Sequence, residues 1–133
     1  MIVLDAHTAL WATFDAALLG KRCRRIIERA AQDNQLAVST ICFWEIALLI
    51  AKRRLRRADS AEEMHRQIIG AGAAELPIRG DVAILAAQLE GLHNDPADRF
   101  IAATAIVHDA TLVTGDRRLL DWRHSLGRQN AEL

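Results

Sequence analysis

The sequence predicts an α/β fold in which a central, mainly parallel sheet is flanked by helices. Short apolar runs typical of buried strands alternate along the chain with longer segments of helical spacing. Parallel strands need long crossover connections, and helices supply them, so this alternation predicts helices on both faces of the sheet. The chain has 133 residues and 51% hydrophobic composition, so we expect one domain that spans residues 1–133.

The first half of the chain contains two predicted strands and two predicted helices. Ile2–Leu4 is a short, wholly apolar run, which is typical of a strand at the buried centre of a parallel sheet. The remaining elements are a helix over residues 16–32, a strand over residues 36–38, and a helix from residues 39–40 to about residue 52. Ser39 and Thr40 favour a helix start because their hydroxyls can accept hydrogen bonds from the first turn.

The second half is predicted to alternate in the same way. Its elements are a helix over residues 60–69, a strand over 75–78, helices over 81–89 and 95–108, and a strand over 111–113. Ser60 with Glu63 three residues later is typical of a capping box, and Asp95 with Pro96 is typical of a helix start. No pattern in residues 120–133 favours a helix or a strand, so residues 111–113 are the last clear strand.

Charge and hydropathy give few indications of a partner. The formal net charge is +0, so the field of the whole molecule does not predict a nucleic-acid binder. The basic run over residues 52–57 is either a solvated helix end or a phosphate-binding patch. No apolar segment is long enough for a membrane span or a signal peptide, so we expect a cytoplasmic protein without a membrane partner.

The sequence predicts structural roles, without chemistry, for the cysteines and four aromatic residues. Cys23 and Cys42 form no C-x-x-C motif, so we expect reduced thiols, with Cys23 at the surface. Aromatic side chains can stack on the bases of single-stranded RNA, but packing in the core is the commoner role. We therefore expect core positions for a set of four aromatic residues. These are Trp11, Phe14, Phe43 and Trp44.

Four acidic residues stand at or near the ends of apolar elements. Asp5 follows the first strand, Asp116 follows the last, and Asp98 opens an apolar helix, so each could also be a helix cap. Glu45 is the most informative, because every other residue from 41 to 51 is apolar. Its carboxylate must be paired, protonated or bound to a metal, although an arginine partner or partial exposure near the helix start remains open.

The conjunction of these acids predicts a metal site. Ligands of parallel sheets bind beyond the carboxyl ends of the strands, where the acids would repel one another without cations. Carboxylate oxygens are the ligands that Mg²⁺ and Mn²⁺ prefer, and the chain has no histidine or thiolate motif typical of zinc. Such ions activate water for phosphodiester hydrolysis, so the sequence favours phosphate chemistry.

Four segments of the sequence, in this order and spacing, resemble the PIN domains of VapC toxins. They are VLDAHTALW (residues 3–11), STICFWEIA (39–47), HNDPADRFIAA (93–103) and LVTGD (112–116). The likeness covers about residues 1 to 120. It implies a three-layer α/β/α PIN-like fold and an Mg²⁺-dependent endoribonuclease, the toxin of a type II toxin-antitoxin system, with Mn²⁺ as a substitute ion.

The resemblance also implies partners and residue roles. The partners are an RNA substrate, a second copy in a homodimer, and a cognate antitoxin that blocks the active site, with a hetero-oligomer as one assembly. Asp5, Glu45, Asp98 and Asp116 match the catalytic acids. By this match Asp5 and Asp98 are direct metal ligands, and the other two bind the metal directly or through water.

Two further residues match supporting positions of the family, and Arg99 is assigned a supporting role from its position beside the acids. Asp95 matches an acid of this subgroup, Thr114 matches a hydroxyl residue two places before the last acid, and Arg99 is expected to contact phosphate. Arg117 and Arg118 are expected to contact phosphate as well, unless they are solvated or pair with the acids.

The chain departs from the family pattern in two places. Ala97 replaces an aromatic residue, which alters the predicted pocket wall, and the expected last strand after Asp121 is not evident. His7 and His93 lie near the predicted site, but isolated histidines are more often caps or loop residues, so neither is assigned. The alternative function is a non-catalytic RNA-binding or regulatory module with a structural metal site, in which the basic run binds phosphate.

Overall fold

The computed structural model describes residues 1–55 and 59–133, and it confirms an α/β fold built on a five-stranded parallel sheet. The strands are β1 (Ile2–Leu4), β2 (Leu36–Ser39), β3 (Ala74–Leu76), β4 (Thr111–Thr114) and β5 (Arg128–Asn130). The helices are α1 (Ala6–Phe14), α2 (Lys21–Gln32), α3 (Ile41–Ala51), α4 (Ala61–Gly70), α5 (Gly80–Gln88), α6 (Pro96–Val107) and α7 (Arg117–Leu120). Arg56 and Arg57, in the predicted basic run, lie outside the described residues.

Strand β1 lies at the centre of the sheet, as its apolar sequence predicts. The strand order is β3-β2-β1-β4-β5, and each neighbouring pair is parallel. Leu4 of β1 is in register with Val38 of β2 and Val113 of β4. The chain moves outward from β1 to β3 and then returns to β4, so the strand order reverses between β1 and β4. Open α/β sheets bind ligands beyond the carboxyl ends of the strands at such a reversal.

Helices cover both faces of the sheet, which confirms the three-layer α/β/α architecture. Because both faces are covered, the central strands are apolar at nearly every position, and Val3, Val38 and Leu112 are fully buried. Helix α6 packs on β1, β2 and β4 through a face of small and branched residues that includes Ile101 and Ala102. This packing brings the start of α6 to the carboxyl ends of β1 and β4.

Side-chain caps begin several of the helices. The carboxylate of Asp5 accepts a hydrogen bond from the Thr8 N–H and so starts α1, a helix that the sequence pattern did not assign. Ser60 caps α4 by accepting from the Glu63 N–H at 3.1 Å, as the capping-box pattern predicts. The Glu63 side chain itself pairs with Arg66 instead of reaching back to the cap.

The predicted single helix over residues 16–32 is wrong. A 3-10 turn (Ala16–Leu18) and helix α2 stand in its place, separated by extended backbone at Leu19 and Gly20. The Gly20 N–H donates to the Ala131 carbonyl at 2.9 Å. The backbone of Glu132 and Leu133 occupies the space that a Cβ on Gly20 would take. Contact with the far end of the chain therefore breaks the helix, and local spacing does not reveal such a contact.

Residues 120–133, to which the sequence assigned no structure, contain the last strand of the sheet. Strand β5 pairs in parallel with β4, with Leu112 in register with Arg128 and Thr114 with Asn130. Its three residues are polar and half-buried, so they show no apolar run. The strand forms at the edge of the sheet, where backbone pairing can compensate for weak side-chain burial.

Burial corrects two further predictions. Cys23 is fully buried instead of lying at the surface, and burial raises the pKa of its thiol to about 11. Trp44 is 50% exposed and therefore not in the core, whereas Trp11, Phe14 and Phe43 pack against the core. Within the described ranges, every helix is too short or too polar to cross a membrane.

Candidate active site

A pocket of about 320 Å³ lies beyond the carboxyl ends of β1 and β4, at the reversal of strand order. It is lined by Asp5, Ala6, His7, Trp11, Glu45, Asp95, Asp98, Gly115, Asp116 and Arg118. The fold therefore brings the four predicted acids together in one pocket and adds Asp95 as a fifth. The acids come from the ends of β1 and β4 and from α3 and α6, which are distant in sequence and adjacent in space.

Asp5 and Asp116 follow neighbouring strands and are linked through Thr114. The Thr114 hydroxyl donates to Asp5 Oδ2 at 2.5 Å and accepts from the Asp116 N–H at 3.0 Å. The other oxygen of Asp5 accepts from the Thr8 N–H at 2.8 Å. Thr114 is fully buried and Asp5 is nearly so. One buried hydroxyl thus fixes the distance between the first and last acids, which gives Thr114 a structural basis for its supporting role.

Asp98 lies in the first turn of α6, where the N-cap Asp95 holds its backbone. The Asp95 carboxylate accepts from the Asp98 N–H at 3.0 Å, so the capping role predicted for Asp95 is confirmed. The Asp98 carboxylate is buried, and its Oδ2 lies 2.6 Å from His93 Nε2. Burial raises the pKa of Asp98, the His93 hydrogen bond opposes this shift, and the neighbouring charges of Asp95 and Asp116 add to it.

Asp116 is the acid with the strongest cationic partner. Its Oδ2 accepts from the Arg118 guanidinium at 2.9 Å, and its Oδ1 accepts from the Arg118 N–H at 2.8 Å as the cap of α7. The hydrogen bond from the Arg118 side chain lowers the pKa of Asp116. The same guanidinium lies 3.6 Å from Asp98 Oδ2, so Arg118 pairs with the acids, which is one of the alternatives that the sequence left open.

Glu45 differs from the other acids because no described residue forms a hydrogen bond or ion pair with its carboxylate. It lies half-buried on α3, between helix positions that pack toward the core. Burial raises the pKa of Glu45 to about 7, and the negative charges of Asp98, Asp95, Asp5 and Asp116 add to the shift. The sequence left open that an arginine pairs with Glu45. No arginine among the described residues does so.

The donor atoms of the pocket fit a hard divalent cation. Five carboxylates share the pocket with one arginine, so the site carries excess negative charge that a cation would neutralise. Ligand atoms of His93, Asp98 and Asp116 all lie within 4.8 Å of one another. Oxygen-rich sites of this kind favour hard divalent ions, and the pocket is a candidate divalent-cation site.

His93 is the site residue that sequence reasoning did not assign. It lies in the loop between α5 and α6 and contacts Asp98 across the helix start. Its Nδ1 is buried and has no hydrogen-bond partner in the part of the chain that the structure describes. The only sequence signal was its position five residues before Asp98, which has no regular periodicity because a loop and a cap separate the two residues.

The Arg99 side chain, for which the sequence suggested a phosphate contact, is hydrogen-bonded to the main chain. Its guanidinium donates to five main-chain carbonyls at the end of α5 and in the loop that follows. A guanidinium has five N–H donors, so the side chain has none left for a substrate. Arg117 is exposed and pairs with Asp121, and it is not among the residues that line the acidic pocket.

Comparison with known proteins identifies the family. Residues 2–123 match the family profile of the PIN domain. Ribonuclease VapC22 of Mycobacterium tuberculosis is 36% identical over 124 residues, which make up 92% of this chain and 92% of that protein. The chain belongs to the PIN domain family, as the four sequence segments predict.

Solved structures share the fold at lower identity. VapBC2 of Rickettsia felis, bound to a DNA fragment from its promoter, superposes with a TM-score of 0.70 at 21% identity over 98% of each chain. A toxin-antitoxin complex from Klebsiella pneumoniae superposes with a TM-score of 0.64 at 20% identity over 100% of each chain. Both resemblances establish the α/β/α architecture of this chain.

Proposed function

We propose that residues 1–133 form one PIN-like domain that is an Mg²⁺-dependent endoribonuclease, with Mn²⁺ as a substitute ion. The observation that carries this proposal is the half-buried carboxylate of Glu45, which lies in a pocket with four other acids and has no partner among residues 1–55 and 59–133. Burying a carboxylate without a partner costs several kcal/mol in order of magnitude, and a bound cation removes that cost. RNA is the proposed substrate because the similar protein VapC22 is named a ribonuclease.

We assign the acids different roles in metal binding according to their burial and their hydrogen-bond partners. Asp5 and Asp98, the two most buried carboxylates, are the proposed direct ligands, and Glu45 and Asp116 bind directly or through water. When bound, the divalent ion supplies activated water and neutralises charge on the phosphate. Thr114 holds Asp5 in place, and Arg118 limits repulsion between Asp98 and Asp116.

Cations in two cavities that adjoin the pocket are suited to an RNA backbone. One groove shares Glu45 and Asp95 with the pocket and is also lined by Trp44, Lys52 and Arg54. A second depression shares Arg118 with the pocket and is also lined by Arg123. Basic side chains hold phosphates, and an exposed aromatic ring can stack on a base. A chain whose formal net charge is +0 thus has local positive charge beside the acids, where an RNA strand could be held.

The proposed biological role is that of the toxin in a type II toxin-antitoxin module. The solved structures with this fold include several described as toxin-antitoxin or VapBC complexes, which supports a cognate antitoxin as partner. By the same resemblance we propose a homodimer that can form a hetero-oligomer with the antitoxin. A cytoplasmic location is consistent with an RNA substrate.

RNA cleavage with and without a chelator tests this function. Purified protein is incubated with single-stranded RNA in Mg²⁺, in Mn²⁺ and in excess chelator, with Asp98→Asn as the matched control. We expect internal cleavage in both ions, none in chelator and none with the variant. RNA binding without cleavage in either ion would contradict the proposal and favour the RNA-binding module with a structural metal.

A further inference from the structure

Arg99 joins the end of one helix to the start of the next. It is the fourth residue of α6, and its side chain reaches back to the final turn of α5 and the loop beyond it. Nε donates to the Ala86 carbonyl at 2.8 Å, Nη1 to Leu92 at 2.8 Å, and Nη2 to Leu89 at 2.6 Å. Longer hydrogen bonds reach the carbonyls of His93 at 3.2 Å and Ala87 at 3.4 Å.

This arrangement solves a local problem of the backbone. The last four carbonyls of a helix have no partner within the helix, and a cation is favoured beside them. Arg99 supplies both the donors and the charge for α5. A second anchor is the Trp122 indole, which donates to the Glu90 carbonyl at 2.9 Å. Gly91 beside it has φ +74, which glycine adopts without strain. The loop between α5 and α6 is therefore held from two sides.

The held loop presents His93 to the buried carboxylate of Asp98. His93 Nε2 lies 2.6 Å from Asp98 Oδ2, while Nδ1 is buried and finds no partner among the residues that the structure describes. A ring with one proton, on Nε2, donates to Asp98 and buries only a bare nitrogen, whereas a proton on Nδ1 would bury an N–H without an acceptor. Asp98 Oδ1 accepts no hydrogen bond from the described residues and remains available to a cation.

We propose that Arg99 and His93 are positioning residues, in which Arg99 holds the α5–α6 loop so that His93 Nε2 orients the Asp98 carboxylate toward the acidic pocket. The catalytic consequence of this inference rests on the proposed function, but the orientation of Asp98 and its effect on cation binding do not. Hydrogen bonds of this kind to a metal ligand change metal affinity about 10- to 100-fold when they are removed.

Paired substitutions at His93 separate an oriented hydrogen bond from mere packing. Glutamine can place an amide N–H near the position of Nε2, whereas asparagine is shorter and ends near Nδ1. Calorimetric titration with Mn²⁺ should therefore give His93→Gln an affinity within about threefold of wild type, and His93→Asn an affinity at least about tenfold weaker. Wild-type affinity in His93→Asn would overturn the proposal. Equal losses in both variants would also overturn it, since they would indicate that the ring nitrogen itself is a ligand.

Arg99→Lys tests the anchor, with Arg128→Lys as the matched control. Arg128 donates to the carbonyls of Leu119, Trp122 and His124, so it holds a loop in the same way but contacts no acid of the pocket. Both variants should lower the melting temperature. Only Arg99→Lys should speed amide hydrogen exchange in residues 89–95 and weaken Mn²⁺ binding about tenfold or more. Equal Mn²⁺ affinity in the two variants would overturn the role of Arg99.

RNA cleavage by the same proteins distinguishes this inference from the proposed function. In His93→Asn and Arg99→Lys we expect kcat at subsaturating metal to fall while KM for RNA stays near wild type. A wild-type protein that binds Mn²⁺ without cleaving RNA would contradict the proposed function and leave the positioning inference supported by the affinities. A wild-type protein that binds no Mn²⁺ would overturn both.

Discussion

Asp5 and Glu45 line the same pocket, but only the carboxylate of Asp5 is hydrogen-bonded to the surrounding fold. Both oxygens of Asp5 accept hydrogen bonds, one from the Thr8 N–H that starts α1 and one from the Thr114 hydroxyl. The Glu45 carboxylate has no such partner among the described residues and is surrounded by like charges. Asp5 therefore stabilises the fold as well as serving the site, whereas the carboxylate of Glu45 contributes only repulsion until a cation binds.

Neutralising a proposed direct ligand should have the largest effect on activity. Asp5→Asn and Asp98→Asn should each lower RNA cleavage by on the order of 100-fold or more, because a neutral amide loses its attraction for the cation. The fold should remain, since the amide oxygen introduced by Asp5→Asn can still accept from the Thr8 N–H. Initial rates and circular dichroism check this, and cleavage near the wild-type rate would remove these residues from the site.

Glu45→Gln should show the contrast with Asp5 most clearly through stability. In chelator at pH 8, Glu45→Gln should melt a few degrees above wild type, because it removes a charge that four other acids repel. Asp5→Asn should melt at or below the wild-type temperature, because the Thr114 hydroxyl loses its carboxylate acceptor at a cost of about 1 kcal/mol. If Glu45→Gln melts lower than wild type, Glu45 has a structural partner and the contrast is wrong.

The same contrast should depend on pH in a defined direction. The pKa of Glu45 is about 7 in the folded protein against an ordinary value of 4.5, so between these values the folded state binds more protons than the unfolded chain. The contribution of Glu45 to stability is therefore largest at low pH and is lost as pH rises to about 7. In chelator from pH 5 to 8, denaturation experiments should show that the free energy of unfolding of Glu45→Gln exceeds that of the wild type by an amount that grows with pH. An advantage independent of pH would contradict this assignment.

A bound cation should reverse the destabilising effect of the acids. Mg²⁺ at ten times its dissociation constant should stabilise the wild-type protein by about 1.4 kcal/mol through mass action. Glu45→Gln should gain less, because it offers one charge fewer to the ion. Melting curves over a Mg²⁺ series, with matched ionic strength in NaCl, measure the difference. Equal stabilisation of both proteins would exclude Glu45 from the binding site.

The flanking cations should have the smallest effect, confined to RNA affinity. Changing both Lys52 and Arg54 to alanine should weaken RNA binding severalfold and reduce its salt dependence, with kcat nearly unchanged. The matched control changes Lys21 and Arg25, exposed residues of α2 outside the pocket, to alanine. Equal losses in the two double variants would mean that the effect is one of net charge alone.

One rule was sufficient to predict from the sequence that the first and last acids of the pocket meet. Carboxyl ends of parallel strands meet at one edge of a sheet, so Asp5 and Asp116 had to lie close together once their strands were recognised. Glu45 was evident because a single charge in an otherwise apolar helix of 11 residues is unusual. Both signals can be recognised in short stretches of sequence, without knowledge of how the loops fold.

The parts that sequence reasoning missed depend on contacts between distant segments. Gly20 breaks a helical pattern because the last residues of the chain pack against it, and β5 forms from polar residues because β4 offers an open edge. Arg99 was expected to contact phosphate because a guanidinium suits that role. Its side chain donates to carbonyls at the end of α5, which have no partner within the helix. His93 could not be assigned because its position depends on that same loop.

The most direct test of the account is whether the acids bind a divalent cation at all. Electron paramagnetic resonance of Mn²⁺ titrated with protein measures this, because the signal of free Mn²⁺ decreases as the ion binds. We expect the wild-type protein to bind Mn²⁺, Mg²⁺ to displace it, and Asp98→Asn to bind much less. A free Mn²⁺ signal that stays unchanged at millimolar protein would contradict the central claim that Asp5, Glu45, Asp98 and Asp116 converge to hold a metal ion.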